Sequence, residues 1–111
     1  MDMFDLTGKK AIVVGGAGDL GKSMLEALVE AGAEAVVIGR GKRTGNVAYE
    51  LSKKGYKVSP VYAELTDREQ VDRSFQEALD ILGGRVDILV NAAGIQRRHK
   101  SEEFPLSDWE E

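Results

Sequence analysis

The sequence lacks cysteine altogether, which excludes disulfide bonds, thiolate metal sites and cysteine nucleophiles. No apolar run approaches the roughly 18 residues that a membrane-spanning helix needs. The first five residues lack the basic flank and apolar stretch of a signal peptide. A formal net charge of −4 argues against a general nucleic-acid binder, because such proteins are normally basic. We therefore expect a cytoplasmic protein that binds neither nucleic acid nor membranes.

What the sequence contains is an alternation of apolar strands and amphipathic helices, within a length that suits one modest domain. Four runs are predicted to be strands: Lys10–Val14, Ala35–Gly39, Tyr56–Tyr62 and Val86–Asn91. The first, second and fourth have the continuous apolar character of buried strands. Pro60 in the third run indicates an edge strand, because proline cannot donate to a central ladder.

Three helices are predicted between these strands. The first carries apolar residues from Leu20 to Val29 on one face, and the second covers Asn46–Lys54. The third begins at a capping box, Thr66–Glu69, in which the hydroxyl and the carboxylate each satisfy a free backbone N–H. Right-handed crossovers then favour an α/β fold, a doubly wound parallel sheet of about four strands in the order 3-2-1-4. The first two helices should share one face, and the third should cover the other.

The segment Gly16-Ala17-Gly18-Asp19-Leu20-Gly21 matches the pattern G-x-G-x-x-G between a predicted strand and a predicted helix. Glycines let the backbone approach a pyrophosphate, and the helix N-terminus offers free N–H groups and a partial positive charge. The alternative is a plain glycine-rich turn. A second register, through Gly15, position 19 and Gly21, has the spacing T-G-x-x-x-G-x-G, with Val14 replacing the threonine and Asp19 the middle glycine.

Asp19 is the main departure in this loop. Aspartate tolerates left-handed backbone better than most residues, so we expect the turn to survive. Its carboxylate is expected to cap the following helix and to compete with the phosphate. The hypothesis is that Asp19 weakens cofactor binding.

The end of the second strand carries the signal for the type of nucleotide. A typical NAD site has an acidic residue about 20 residues beyond the glycines, where it holds the ribose 2′-hydroxyl. Here Arg40, Lys42 and Arg43 follow Gly39 instead. Arginine offers planar paired donors, which suit the 2′-phosphate of NADP. The sequence favours NADP, with NAD or a merely solvated basic loop as the alternatives.

The fourth strand ends in Asn91-Ala92-Ala93-Gly94, which resembles the N-N-A-G motif of the short-chain dehydrogenase/reductase family. That family also has the second glycine spacing described above. Glu64-Leu65-Thr66-Asp67 stands where the family has Asp-Val or Asp-Leu, and the resemblance begins at Asp5-Leu6-Thr7-Gly8-Lys9. It implies a Rossmann-like NAD(P)-binding domain over residues 1–111.

The resemblance also implies roles for individual residues. The acid at position 64 would face the adenine, and Asn91 would steady the sheet. The cofactor-binding residues implied in this way are Gly15, Gly18, Asp19, Leu20, Gly21, Arg40, Glu64, Leu65, Asn91, Ala92, Ala93 and Gly94.

A narrower resemblance covers Asn91–His99 and Glu103–Leu106, which look like gluconate 5-dehydrogenases and related sugar-acid dehydrogenases. Arg97, Arg98 and His99 follow the carboxyl end of a predicted strand, where ligands bind in open α/β sheets. A sugar-acid carboxylate would meet complementary charge there. A solvated basic loop is the alternative, and for His99 alone a surface role is favoured over catalysis.

The catalytic side of the family is not found in these residues. The resemblance implies that a Tyr-x-x-x-Lys pair, with a serine and a later asparagine, performs the chemistry. Tyr49–Lys53 has that spacing but lies in the second predicted helix, so we interpret it as a coincidence. Ser107–Glu110 is a further capping box with about one turn of chain behind it, too short for a stable helix. We expect a partial domain that lacks the C-terminal catalytic half.

Two functions from different classes remain open. The first is the cofactor-binding part of an oxidoreductase, inactive alone. The second is a non-catalytic nucleotide-binding module, or a decayed product without a ligand. The fourth strand is apolar, yet little chain is left to cover it, so we expect self-association or pairing with a complementing chain at that edge.

Overall fold

The computed structural model describes residues 5–15 and 17–92, in which strands and helices alternate as expected. The elements are β1 (Lys10–Val14), α1 (Asp19–Glu30), β2 (Glu34–Gly39), α2 (Gly41–Lys53), β3 (Val58–Tyr62), α3 (Arg68–Ile81) and β4 (Ile88–Asn91). β1 has the bounds predicted for it, whereas β3 and β4 each begin two residues later than predicted and β2 one residue earlier. No helix in this described part is long and apolar enough to cross a bilayer.

The strands form one parallel sheet in the order β3-β2-β1-β4, as predicted. Val13 stands beside Val37 on one side and Val90 on the other, so β1 and β2 form the centre of the sheet. β3 lies at one edge, where Pro60 costs no ladder hydrogen bond on its free side. The prediction from Pro60 is confirmed.

The sheet has a buried core on each face, because successive side chains of a strand point to opposite sides. On one face α1 and α2 pack against the strands; the buried residues there are Ala11, Val13, Leu25, Val29, Ala35, Val37, Val47, Ala48, Leu51 and Val58. On the other face α3 contributes Ala78, and Leu82 follows it, against Ile12, Val14, Val36, Ile38, Val61 and Ala63. The predicted division of the helices between the faces is confirmed.

β4 is the other edge strand of the described sheet, and it pairs with β1 alone there. Leu89 lies opposite Ile12, on the face that α3 covers, yet its side chain is 40% exposed. Val86, just before the strand, is exposed to a similar degree. The structure therefore agrees with the expectation of an apolar, uncovered fourth strand within the described residues.

The start of α2 differs from the prediction. The helix begins at Gly41, five residues before Asn46, so Lys42 and Arg43 lie in its first turn and not in a loop. Gly41 has a positive φ of 78°, a conformation that suits glycine and lets the chain turn directly from β2 into the helix. This segment is polar and carries two glycines, so it has little of the apolar periodicity by which helices are recognised.

The predicted capping box at the start of α3 is also wrong. Asp67, one residue later than predicted, is the N-cap, and its Oδ1 accepts hydrogen bonds from the backbone N–H of Glu69 at 3.0 Å and of Gln70 at 3.2 Å. The Thr66 hydroxyl instead donates to the Glu64 carboxylate. Asp67 caps the helix because aspartate is at least as good an N-cap as threonine. Thr66 has a charged acceptor, the Glu64 carboxylate, two residues upstream.

This difference predicts unequal effects of two neighbouring substitutions. Asp67→Ala should lower the free energy of unfolding by about 1 kcal/mol, because two first-turn N–H groups lose their acceptor. Thr66→Ala should have a clearly smaller effect, since its hydrogen bond is exposed. Urea unfolding followed by circular dichroism measures both, and a larger loss for Thr66→Ala would restore the original prediction.

Candidate dinucleotide site

The carboxyl ends of the four parallel strands meet at one edge of the sheet. The chain moves outward from β1 to β3 and then returns through α3 to β4 on the other side of β1. The winding therefore reverses between β1 and β4, and open α/β sheets bind ligands in the crevice at such a reversal. Most of the site residues predicted from the sequence stand at this edge.

The described residues of the loop after β1 include Gly15 and Gly18, which precede the first turn of α1. Gly15 has a positive φ of 78°, while its N–H continues the ladder by donating to the Ile38 carbonyl at 2.7 Å. Gly18 is the N-cap of α1 and has no side chain to satisfy the first-turn N–H groups. In any α-helix the first N–H groups lack intrahelical acceptors, so those of α1 are available for an anion. Gly21 is buried in the first turn.

The expected role of Asp19 requires a correction. Gly18, and not Asp19, is the N-cap; Asp19 is the first residue of α1 and has helical backbone, whereas the left-handed residue is Gly15. Its carboxylate stands in the first turn, where a negative charge complements the positive end of the helix. That is also where a diphosphate would bind, so weakened cofactor binding stays a prediction.

Arg40 and Glu64 form an ion pair across the ends of β2 and β3. Arg40 Nη1 lies 3.1 Å from Glu64 Oε1, and the side chains are 75% and 36% exposed. The Thr66 hydroxyl donates to Glu64 Oε2 at 3.1 Å. The hydrogen bonds from Arg40, and then from Thr66, hold the pKa of the Glu64 carboxyl below its usual range. The Glu64 carboxylate is therefore ionised at neutral pH. It lies directly beside Arg40, the cation that the sequence predicts to bind a 2′-phosphate.

Sequence reasoning missed two contacts at this edge. One is the Arg40–Glu64 pair itself, and the other joins Arg43 to the glycine-rich loop: Arg43 Nη2 donates to the Ala17 carbonyl at 3.3 Å. The partners are 24 and 26 residues apart, and nothing local in the sequence marks them. The parallel order of the strands was the available signal, because it brings the ends of β1, β2 and β3 side by side.

The remaining predicted residues divide into two groups. Asn91 ends β4 opposite Val14, Ala92 after it is buried, and Leu65 packs against the core on the α3 face. Leu20 is 41% exposed in the first turn of α1. The other predicted residues lie outside the described residues: Ala93, Gly94, Arg97, Arg98 and His99, together with the capping box at Ser107.

The Tyr-x-x-x-Lys sequence lies on the exposed surface of α2. Lys53 Nζ lies over the Tyr49 ring, 5.4 Å from its centroid, and Tyr49 is 64% exposed. Such stacking is an ordinary cation–π contact on a helix surface. This geometry agrees with the interpretation of the pair as coincidental. Among the described residues no three His, Cys, Asp or Glu side chains are grouped to hold a metal ion.

Comparison with known proteins identifies the family of this chain. The sequence profile of the family described as short chain dehydrogenase matches residues 9–111. The chain belongs to the short-chain dehydrogenase family. The short-chain dehydrogenases are a family of oxidoreductases with an NAD(P)-binding Rossmann fold, and the 3-2-1-4 sheet of this chain has that fold.

Two curated members of the short-chain dehydrogenase family illustrate the match. Gluconate 5-dehydrogenase of Gluconobacter oxydans (strain 621H) is 35% identical over 99% of this chain, which covers 43% of that protein. The 3-oxoacyl-[acyl-carrier-protein] reductase FabG of Aquifex aeolicus (strain VF5) is 36% identical over 96% of this chain, which again covers 43% of that protein. The chain thus spans less than half the length of these relatives.

Solved structures of family members give the same result. The RhlG/NADP active-site complex of Pseudomonas aeruginosa is 34% identical, with a TM-score of 0.70 over 79% of this chain and 35% of that one. Hydroxysteroid dehydrogenase from Escherichia coli is 29% identical, with a TM-score of 0.74 over 79% of this chain and 36% of the other. The four-stranded sheet described above is therefore the fold of the family.

Proposed function

We propose that this chain is the NADP(H)-binding portion of an oxidoreductase that acts on a CH–OH or C=O group of a sugar acid such as gluconate. The observation that carries the cofactor assignment is Arg40, which stands at the end of β2 where an NAD site has an acid. Support also comes from a relative named gluconate 5-dehydrogenase and from a similar structure titled as an NADP complex.

The described residues fit a dinucleotide. Gly15, Gly18 and the first turn of α1 provide a backbone cradle that no side-chain cap fills, which suits the diphosphate. Arg40 is exposed enough to reach a ribose phosphate, and Glu64 stands where the family has an acid that faces adenine. When bound, the cofactor would supply the hydride chemistry, while these residues bind and orient it.

The assignment of the substrate rests on the basic cluster that follows Asn91. Arg97, Arg98 and His99 are proposed to bind the carboxylate of the sugar acid, because guanidinium groups pair with carboxylates in a bidentate manner. A relative named as a 3-oxoacyl-[acyl-carrier-protein] reductase shows that family members of equal similarity carry other names. Gluconate is therefore the finer part of the proposal.

We also propose that the 111 residues bind the cofactor without turning over substrate. The only Tyr-x-x-x-Lys sequence that they contain is the α2 pair, whose lysine stacks on the tyrosine ring. A second candidate is a non-catalytic nucleotide-binding module with weakened affinity. Asp19 favours it, since its negative charge lies in the turn that a diphosphate would occupy.

Titration with NADPH and NADH side by side tests the proposal. Nucleotide fluorescence should change saturably with both, with tighter binding for NADPH because only NADPH has the 2′-phosphate for Arg40. No gluconate oxidation should be seen with NADP and the chain alone. Absence of saturable binding would reject the cofactor assignment, and turnover by the chain alone would reject the division of roles.

We further propose that the β4 edge pairs with another chain. Among the described residues β4 pairs with β1 alone and its Leu89 is 40% exposed, and an edge strand of this kind is a template for pairing with another strand. Light scattering should show a molecular mass that rises with concentration, and Leu89→Lys should reduce this rise. Monomeric behaviour of the unmodified chain at high concentration would contradict the proposal.

A further inference from the structure

Two side chains hold the Glu64 carboxylate at the carboxyl edge of the sheet. Its Oε1 accepts from Arg40 and its Oε2 from Thr66, each at 3.1 Å. Its backbone N–H donates to the side-chain oxygen of Gln70 at 2.8 Å, within the first turn of α3. Arg40, its partner, is three-quarters exposed. The carboxylate is thus fixed by several groups, and its charge lies within one hydrogen bond of the guanidinium.

We propose that Glu64 sets the cofactor preference of this site by competing with the 2′-phosphate of the nucleotide for Arg40. This inference rests on the proposed NADP(H) function. A phosphate that binds Arg40 comes close to a carboxylate of the same sign, and like charges at such distances repel. A ribose 2′-hydroxyl carries no charge and meets no such repulsion. Glu64 therefore lowers the affinity for the phosphorylated ribose relative to that for the unphosphorylated one.

An opposite effect has to be weighed. A carboxylate that holds Arg40 in place also reduces the entropy that the side chain would lose on binding. This advantage requires that the phosphate bind Arg40 in the orientation that Glu64 imposes. In that orientation Nη1 already donates a hydrogen bond to Oε1 of Glu64. The other N–H donors of Arg40 can still bind a phosphate, but that phosphate then lies beside the Glu64 carboxylate and shares the same positive charge, whereas a side chain that is 75% exposed gains little from being positioned. Competition therefore outweighs positioning.

Glu64→Gln separates the two effects, because the amide keeps an oxygen that can accept from Arg40 but removes the charge. The probes are adenosine 2′,5′-bisphosphate and 5′-AMP, which differ by the 2′-phosphate alone. We expect the affinity for the bisphosphate to rise about threefold to fivefold, the range of an exposed charge pair. That rise is measured relative to the affinity for 5′-AMP, because loss of an adenine contact would affect both probes alike.

The matched control is Glu77→Gln, which removes one negative charge from an exposed position in the second half of α3. It should change neither affinity. Isothermal titration of all three chains at one ionic strength provides the data, and urea midpoints show whether each variant is folded.

Three results would overturn the inference. An unchanged or lowered ratio of bisphosphate to 5′-AMP affinity in Glu64→Gln would mean that the residue has no effect on the preference or acts only as a positioning group. An equal rise for both probes would assign its effect to the adenine, and an equal rise in Glu77→Gln would reduce it to net charge. If neither probe binds the unmodified chain, the proposed function itself fails, which these variant comparisons distinguish from failure of the Glu64 inference.

Discussion

Arg40→Ala is expected to lower the affinity for NADPH by about tenfold, with little effect on NADH. A hydrogen bond to a charged group contributes about 1.5–3 kcal/mol, which is roughly tenfold to a hundredfold in affinity. The guanidinium is three-quarters exposed and shares its charge with Glu64, so the lower end of that range applies. Fluorescence titration with the two nucleotides measures the effect.

The control for this prediction is Lys42→Ala, which removes a cation from the same turn of α2. If Arg40 contacts the phosphate directly, its removal should discriminate NADPH from NADH, whereas loss of Lys42 should have a smaller, salt-dependent effect. Equal losses for both nucleotides on removing Arg40 would contradict the NADP assignment.

The second large effect is expected at Gly15. Gly15→Ala should lower the affinity for NADPH and NADH alike by about tenfold or more, because a methyl group in the cradle displaces a charge-assisted backbone contact to the diphosphate. A side chain in left-handed backbone also costs about 1 kcal/mol in folding free energy. Titration and urea unfolding together measure both losses.

Gly55→Ala is the matched control for the strain. Gly55 also has a positive φ, of 100°, and a Cβ there would meet open space. It lies in the turn between α2 and β3, at the opposite edge of the sheet from the cradle. The two variants should lose similar stability, and only Gly15→Ala should lose nucleotide binding. Equal nucleotide affinities in the two variants would place the diphosphate elsewhere.

The architecture follows from the sequence because its signals are strong and redundant. Four strand-like runs that alternate with amphipathic helices leave few arrangements other than a parallel sheet, and right-handed crossovers then fix the order of the strands. The glycine-rich loop is recognisable for a similar reason. Its function depends on the backbone, and glycines between a strand and a helix are a local pattern.

The details that escaped prediction depend on competition between neighbours. Both Thr66 and Asp67 are able to cap α3, and the choice depends on Glu64, which the hydroxyl of Thr66 contacts instead. The early start of α2 depends on Gly41, in a segment without apolar periodicity. The Arg40–Glu64 pair needs the relative placement of two strand ends, which spacing along the chain does not give.

The hydrogen bond from Arg43 to the Ala17 carbonyl has a consequence for redesign of the site. The turn that follows β2 would be the target of any attempt to convert the nucleotide selectivity, for example by exchanging its basic residues for an acid. Arg43 in that turn donates a hydrogen bond to Ala17, in the loop before α1. Replacing the whole basic segment would therefore also remove a contact to the backbone that is proposed to bind the diphosphate. At the proposed site, selectivity and overall nucleotide affinity would therefore be coupled, and an exchange that keeps Arg43 should separate them.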